Sequence, residues 1–294
     1  MRGTEFLPVC REEMIARDWY YYDFLVITAD AYIDHPSFGT TIIARLLEGE
    51  GYRVAILAQP DWHDAEAFRA MGKPRYGVLI GGGNLDSMVA HYTAAKKRRS
   101  EDFYSPGKKT GLRPDRATIV YSNRAREAFG ADTPIIIGGL EASLRRFAHY
   151  DYWDDRVRRS ILVDSGADML VYGMGEYATR EIARRLAKGE AVSSITDVRG
   201  TAFATRDAAA CKYESVACPS YEEVCADKRT YALATKLEYE EHDPIRGKAL
   251  TQSHGKDILV VNPPAMPLSR KELDSKANEC IGYWTEDDIM VMSH

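Results

Sequence analysis

The stretch Phe24–Gly39, FLVITADAYIDHPSFG, decides the fold. An apolar run rich in β-formers leads into an acidic loop that carries a histidine, and a helix start follows directly. In an open α/β sheet, ligands bind in the crevice outside the carboxyl ends of the strands. Asp30, Asp34 and His35 therefore stand where a parallel sheet would hold a ligand.

Outward from this stretch the same unit repeats. The Phe24–Thr28 strand is followed by a helix from about Phe38 to Leu47, then by a strand at Val54–Leu57 and a short helix, Ala65–Met71. Tyr76–Ile80 is a third strand, running into Gly81, Gly82 and Gly83 and a helix from Asn84. A polar insertion, Thr93 to Asp115, precedes a helix at Ala117–Phe129 and a strand at Pro134–Ile137 that ends on Gly138 and Gly139. Helical patterns follow at Glu141–Ala148 and Asp155–Asp164. Met169–Tyr172 closes on Gly173-Met174-Gly175-Glu176 before a helix, Tyr177–Lys188. Strands alternating with helices at this spacing predict an α/β fold with a doubly wound, mostly parallel sheet.

After Gly189 the rhythm changes. Val198–Ala204 and Asp257–Val261 read as strands, and Tyr221–Glu241 as one long charged helix. We expect a domain over residues 1–190, an extension over 191–275, and an atypical end over 276–294, truncated or frame-altered.

Composition narrows the function classes. A net charge of −5 argues against a generally cationic nucleic-acid coat. No apolar run approaches the roughly 20 residues that span a bilayer. The amino-terminal MRGTEFLPVCREEM lacks a signal-peptide core, so the expected compartment is the cytoplasm. Five cysteines, an odd number, fit a reduced compartment. Cys211, Cys218 and Cys225 recur every seven residues, but Pro219 lies between them. Their spacing matches neither zinc pairs nor iron–sulfur groups. They read as unrelated thiols, and no metal site is expected.

Three glycine clusters follow strands: Gly81–Gly83, Gly138–Gly139, and Gly173 with Gly175. Glycine at a strand's carboxyl end lets backbone N–H groups approach a ligand, and the next helix start favours an anion. In the first loop, Pro36 presets the turn and Ser37 is placed to cap the helix. His35 is a candidate ligand or acid–base group, with Asp34 or Asp30 fixing its tautomer. Gly173–Ala178, GMGEYA, formally matches a dinucleotide fingerprint but lies on the fifth strand, and no acidic strand end follows. The insertion carries Lys96, Lys97, Arg98 and Arg99, with Tyr92, Phe103 and Tyr104 interleaved, a pattern that suits single-stranded nucleic acid. Arg145–Asp155, RRFAHYDYWDD, reads as a half-buried structural or interface segment.

Several of these segments together carry a resemblance. DAYIDHPSFG, ILAQPDW, GVLIGGGNLDSMV, IIIGGLEASLRRFAHYDYWDD, ADMLVYGMGE and VVNPPAMPLS are similar to the amino-terminal part of the YgiQ-type radical SAM family, over roughly Glu5 to Leu273. The resemblance implies a Rossmann-like, cobalamin-binding-like domain that precedes a radical SAM barrel. In that family a C-x3-C-x2-C motif in the barrel holds a four-iron, four-sulfur cluster and S-adenosylmethionine. This chain contains no C-x3-C-x2-C. The resemblance therefore implies a domain that covers or shapes a substrate site, not competent alone, whose partner is the missing barrel. Asp30, Asp34, His35, Ser37, Gly81, Gly82, Gly83, Gly138, Gly139, Glu141, Gly173, Gly175 and Glu176 would form its crevice.

Cobalamin proteins with a histidine ligand carry D-x-H-x-x-G after the first strand. Here Asp34 and His35 are adjacent and Gly39 lies four residues on. The crevice either binds cobalamin without a histidine or has become a scaffold, and we favour the scaffold. Two alternatives from other classes are an RNA-binding module using residues 92–115 and a dinucleotide-dependent oxidoreductase.

Overall fold

The computed structural model describes residues 6–272, so the expectation for 276–294 lies outside the described residues. The described chain divides into two compact units. One takes residues 6–135, 139–141 and 268–272, and the other takes Ile136–Gly138 and Ala142–Pro267.

The first unit contains α1 (Arg11–Ala16), β1 (Phe24–Thr28), α2 (Gly39–Gly49), β2 (Val54–Ala58), α3 (Glu66–Arg69), β3 (Gly77–Gly81), α4 (Ser87–His91) and α5 (Ala117–Phe129). β1 is central and pairs in parallel with β2 and β3, Phe24 lying opposite both Val54 and Gly77. All five β1 residues are buried, which is why this strand reads as an unbroken apolar run rather than an alternation. α2 buries Ala44, Leu46 and Leu47, and α5 buries Tyr121, Ala125 and Phe129. Phe68 of α3 meets Tyr121 of α5 edge-on, with centroids 5.9 Å apart. Gly77 is required where it stands: a Cβ there would lie 3.0 Å from the Pro134 carbonyl oxygen, which accepts from the Val78 N–H.

The second unit is built on β4 (Ile135–Gly138), α6 (Gly139–Leu144), β5 (His149–Asp151), β6 (Arg156–Arg158), α7 (Ile161–Ser165), β7 (Met169–Val171), α8 (Glu176–Ala187), β8 (Thr201–Thr205), β9 (Ser215–Ala217), α9 (Tyr221–Ala226), α10 (Lys228–Glu240), β10 (Ala249–His254) and β11 (Asp257–Val261). The first residue of β4 and the first turn of α6 count with the first unit. Strand order is β4-β7-β8-β11-β10-β9. β4 and β7 are parallel, β7–β8, β8–β11 and β11–β10 are antiparallel, and β10–β9 is parallel again. The expected parallel α/β pattern thus holds through β7, after which the sheet becomes mixed. The expected break near residue 190 falls inside this unit, because β7 and β8 pair across it, Leu170 with Ala202.

Two local expectations need correction, and one strand is new. Asp155–Asp164 is not a helix. The Asp151 carboxylate accepts from the Trp153 and Asp154 N–H groups, which turns the chain so that β6 folds back antiparallel on β5. α7 then begins at Ile161, capped by Ser160. The Tyr221–Glu241 helix is two helices. Asp227 is extended (φ −143°, ψ 129°) and its carboxylate caps α10 at the Thr230 N–H. β10, unforeseen, pairs with β11 through the two-residue turn Gly255-Lys256, Gly255 adopting φ +65°.

Candidate functional site

The loops at the carboxyl ends of β1 and β3 are held by a buried charge network in the first unit. Arg113, from the insertion, donates to the Asp30 carboxylate at 2.8 Å and grips Asp102 with two bonds of 2.8 Å each. All three side chains are 2% exposed or less. Asp30 also accepts the Asn84 N–H at 2.7 Å, and Asp102 accepts from the Tyr104 N–H and the Ser105 hydroxyl. Two carboxylates sharing one guanidinium would repel without these further donors. Burial pushes the Asp30 carboxyl upward, while Arg113 and the Asn84 N–H pull it back.

The insertion is therefore stitched into the site. Ala31 donates its N–H to the Tyr104 carbonyl, and Gln59 bridges the Ala29 carbonyl (2.9 Å) and the Ser105 hydroxyl (2.7 Å). Gln59 itself takes a left-handed backbone, φ 44°, just past β2. Asn84 ties loop to loop, its side chain donating to the Ser37 carbonyl while its N–H holds Asp30. Gly83 (φ +96°) has no room for a Cβ, which would collide with the Asp30 carboxylate.

Glu141 anchors a second cluster. Its carboxylate is fully buried and accepts the Ser87 N–H (2.8 Å) at the start of α4 and the Thr118 N–H (3.0 Å) in the first turn of α5. A Cβ on Gly82 would meet the same carboxylate at 2.9 Å. Ser87 closes the knot by accepting the Ala117 N–H. Asp86 caps α4 in the ordinary way.

These placements revise the sequence reading. Asp30, Asp34 and Glu141 are expected to face a ligand, yet all three are buried and committed to structural partners. Asp34 accepts from Arg45, with Nε at 2.9 Å, and from the Tyr32 hydroxyl. Ser37 does not cap α2, whose N-cap is Phe38 with no side-chain bond. Gly81 ends β3 and Gly139 (φ +82°) opens α6. In the second unit, a Cβ on Gly138 would lie 3.3 Å from the Val171 carbonyl oxygen. Gly173 takes φ +68°. Gly175 is the N-cap of α8 and Glu176 its first residue.

His35 bears directly on cobalamin. Its Nδ1 accepts the Ser37 N–H at 3.0 Å. An accepting Nδ1 keeps its lone pair, so the proton of a neutral ring sits on Nε2, which then has no lone pair for a metal. A histidine that ligates through Nε2 donates from Nδ1 instead. The residues present do not fit a histidine-ligated cobalt. Nor do they fit an iron–sulfur cluster. Among the described residues Cys10, Cys211, Cys218 and Cys225 are free, and burial pushes the Cys218 thiol up to about 12, away from the thiolate a cluster needs.

The cations of the insertion divide. Lys96, Lys97, Arg98 and Arg99 are all exposed, but Arg98 stacks over Tyr92 and approaches Asp115, and Arg99 donates to the Val89 carbonyl. Of the residues that organise the site, Arg113 and Asp102 carry no motif, and Gln59 lies in the ILAQPDW segment without being singled out. Arg113 reads in sequence as one more cation of a basic insertion, and its partners lie 11 and 83 residues away.

Comparison with known proteins shows the family. The model of the family described as "Radical SAM N-terminal" matches residues 6–280. A UPF0313 protein of Clostridium botulinum strain 657 is 55% identical over 274 residues, 93% of this chain and 43% of the relative. One from Clostridium perfringens strain ATCC 13124 is 54% identical, over 93% of this chain and 41% of its own. The chain thus spans less than half the length of these relatives. A solved structure, the radical S-adenosylmethionine methyltransferase TsrM of Kitasatospora setae with tryptophan and a SAM analogue, matches 61% of this chain and 28% of its own at 20% identity. Its TM-score is 0.41, a likeness too slight to carry an argument. The family match covers most of the sequence: this chain belongs to the family of radical SAM amino-terminal domains.

Proposed function

We propose that this chain serves as the amino-terminal domain of a larger cytoplasmic enzyme that cleaves S-adenosylmethionine with an iron–sulfur cluster. In this reading the cluster and S-adenosylmethionine are held by the part of the relatives that this chain does not span. The domain's own task is to cover and shape the substrate site. The observation that carries the reading is the family match over residues 6–280, in a chain that contains no C-x3-C-x2-C. The buried network supports it. Arg113, Asp30, Asp102 and Glu141 spend their charge on fixing the loops at the strand ends, which suits a rigid wall better than a reacting centre.

Anaerobic reconstitution with iron and sulfide tests the proposal. The 294-residue chain should refuse a cluster, its spectrum showing no charge-transfer band in the visible, whereas a full-length Clostridium relative should take one up. A stoichiometric cluster on the chain alone would refute the reading.

A further inference from the structure

A ladder of arginines and aromatic rings crosses the amino ends of β2, β1 and β3 in the first unit. Arg53 directly precedes β2, Arg75 and Tyr76 precede β3, and Trp19 and Tyr21 lie on the approach to β1. The Arg53 guanidinium carbon lies 5.7 Å from the Trp19 ring centre and 4.3 Å from that of Tyr21. Arg75 follows, 5.6 Å from Tyr21 and 5.0 Å from Tyr76. Arg17 lies over Trp19 at 5.7 Å. Cation and ring thus alternate from Arg17 through to Tyr76.

Backbone bonds hold the ladder in place. The Arg53 carbonyl accepts the Asp23 N–H at 2.8 Å, and the Arg53 N–H donates to the Asp23 carboxylate at 2.9 Å. On the other side, the Arg75 N–H donates to the Tyr22 carbonyl at 3.0 Å and the Tyr76 N–H to the Asp23 carbonyl at 2.9 Å. These bonds carry the parallel pairing of β1 with β2 and β3 past the strand ends. The spacing of rings and cations is therefore set by the sheet.

The face is open and its cations keep unused donors. Tyr21 is 48% exposed and the Arg75 side chain 56%. Arg53 forms no ion pair or side-chain hydrogen bond with any described residue. The Arg75 ion pair with Asp23 is loose, at 4.0 Å, and Arg17 donates to the Phe6 carbonyl. Asp23 is buried, which leaves Asp18 as the exposed acid among residues 17–23. A guanidinium stacked on a ring still presents its edge N–H groups in plane, where phosphate oxygens are bound. A single strand carries both complements, phosphates for the arginine edges and bases for the rings. An acidic peptide would engage the cations and leave the rings idle.

We propose that this face binds a single strand of nucleic acid, with phosphates on Arg17, Arg53 and Arg75 and bases against Trp19 and Tyr21. It lies at the strand ends opposite the loops of the candidate site, and apart from the insertion at 92–115. The inference goes beyond the function proposed above and stands whether or not the domain serves a cluster.

Fluorescence anisotropy of a labelled oligouridylate about ten nucleotides long, titrated with the 294-residue chain, tests it. Saturable binding is expected, weakening with salt at a log–log slope of about −2 for three phosphate contacts. Arg53→Gln should flatten that slope by about 0.7. Tyr21→Ala should weaken binding roughly fivefold or more, the loss of one stacked base. Tyr239→Ala, an exposed tyrosine of α10 in the second unit, should change nothing. The Arg53 side chain makes no bond whose loss would unfold the chain, so its variant keeps the test decisive if Tyr21→Ala fails to fold. An oligodeoxythymidylate in parallel distinguishes RNA from DNA as the source, and binding of either supports the proposal. No binding of either strand at low salt, an affinity indifferent to salt, an Arg53→Gln protein with an unchanged slope, or displacement of the strand by polyglutamate at equal charge would overturn it.

Discussion

Arg113 is buried together with both of its carboxylate partners, and that sets what its removal should do. Arg113→Ala leaves Asp30 and Asp102 facing each other in a dry environment, a loss of about 3–5 kcal/mol where a buried partner is deleted. Urea denaturation should report it, while Arg184→Ala, which breaks an exposed pair with Glu181, should not move the midpoint measurably. An Arg113→Ala chain as stable as wild type would mean the network contributes nothing. Gly83 makes a second residue-scale case. Alanine there must take φ +96° and press its Cβ into the Asp30 carboxylate, at a cost of about 1–3 kcal/mol. Gly72→Ala meets a similar φ with open space around it, so it should cost less in the same measurement.

At the scale of elements, what was legible depended on how local the cause is. β1, α5 and β11 were read with the ends they have, because apolar runs and amphipathic periodicity are written within a dozen residues. The β5–β6 hairpin was read as helix because its decisive feature, the Asp151 carboxylate turning the chain, has no periodicity. Asp227 splits one charged stretch into two helices by the same kind of local capping. The site was less legible than the fold. Asp30 and Glu141 read in sequence as carboxylates facing a ligand crevice, whereas both are buried against partners from far along the chain, and only packing reveals that.

Two element-scale outcomes follow from the second unit. Ser160 is fully buried and caps α7 at the Leu162 N–H, so Ser160→Ala should lower stability by about 1 kcal/mol. His149 and His254 are both pushed down to about 4 by burial, against about 6.5 in the unfolded chain. The unfolded state therefore takes up protons first. The stability these rings contribute is fully present above pH 6.5 and is lost as pH falls towards 4, by up to about 3 kcal/mol for each. Denaturant midpoints across that range should show the fall, and His254→Phe, which keeps the stack on Tyr221, should reduce it by about half, His149 still titrating. A midpoint unchanged from pH 7 to 4.5 would show that the rings are not buried as neutral groups.

At the scale of the whole molecule, no helix among the described residues is long and apolar enough to cross a membrane. Family membership rests on nearly the entire chain, while the chain spans only 43% of a relative that is 55% identical to it. The buried charges of its strand-end loops are committed to holding those loops, its described cysteines do not suit a cluster, and its loop histidine accepts the Ser37 N–H through Nδ1. The proposed function therefore separates architecture from chemistry: in it the domain shapes a site whose reactive groups lie in the part of the relatives that this chain does not span. Release of 5′-deoxyadenosine from S-adenosylmethionine under dithionite, after anaerobic reconstitution, measures that separation most directly. None is expected from this chain, and sustained release is expected from the same chain continued through the part of its relatives that it does not span. Release by the 294-residue chain alone would contradict it.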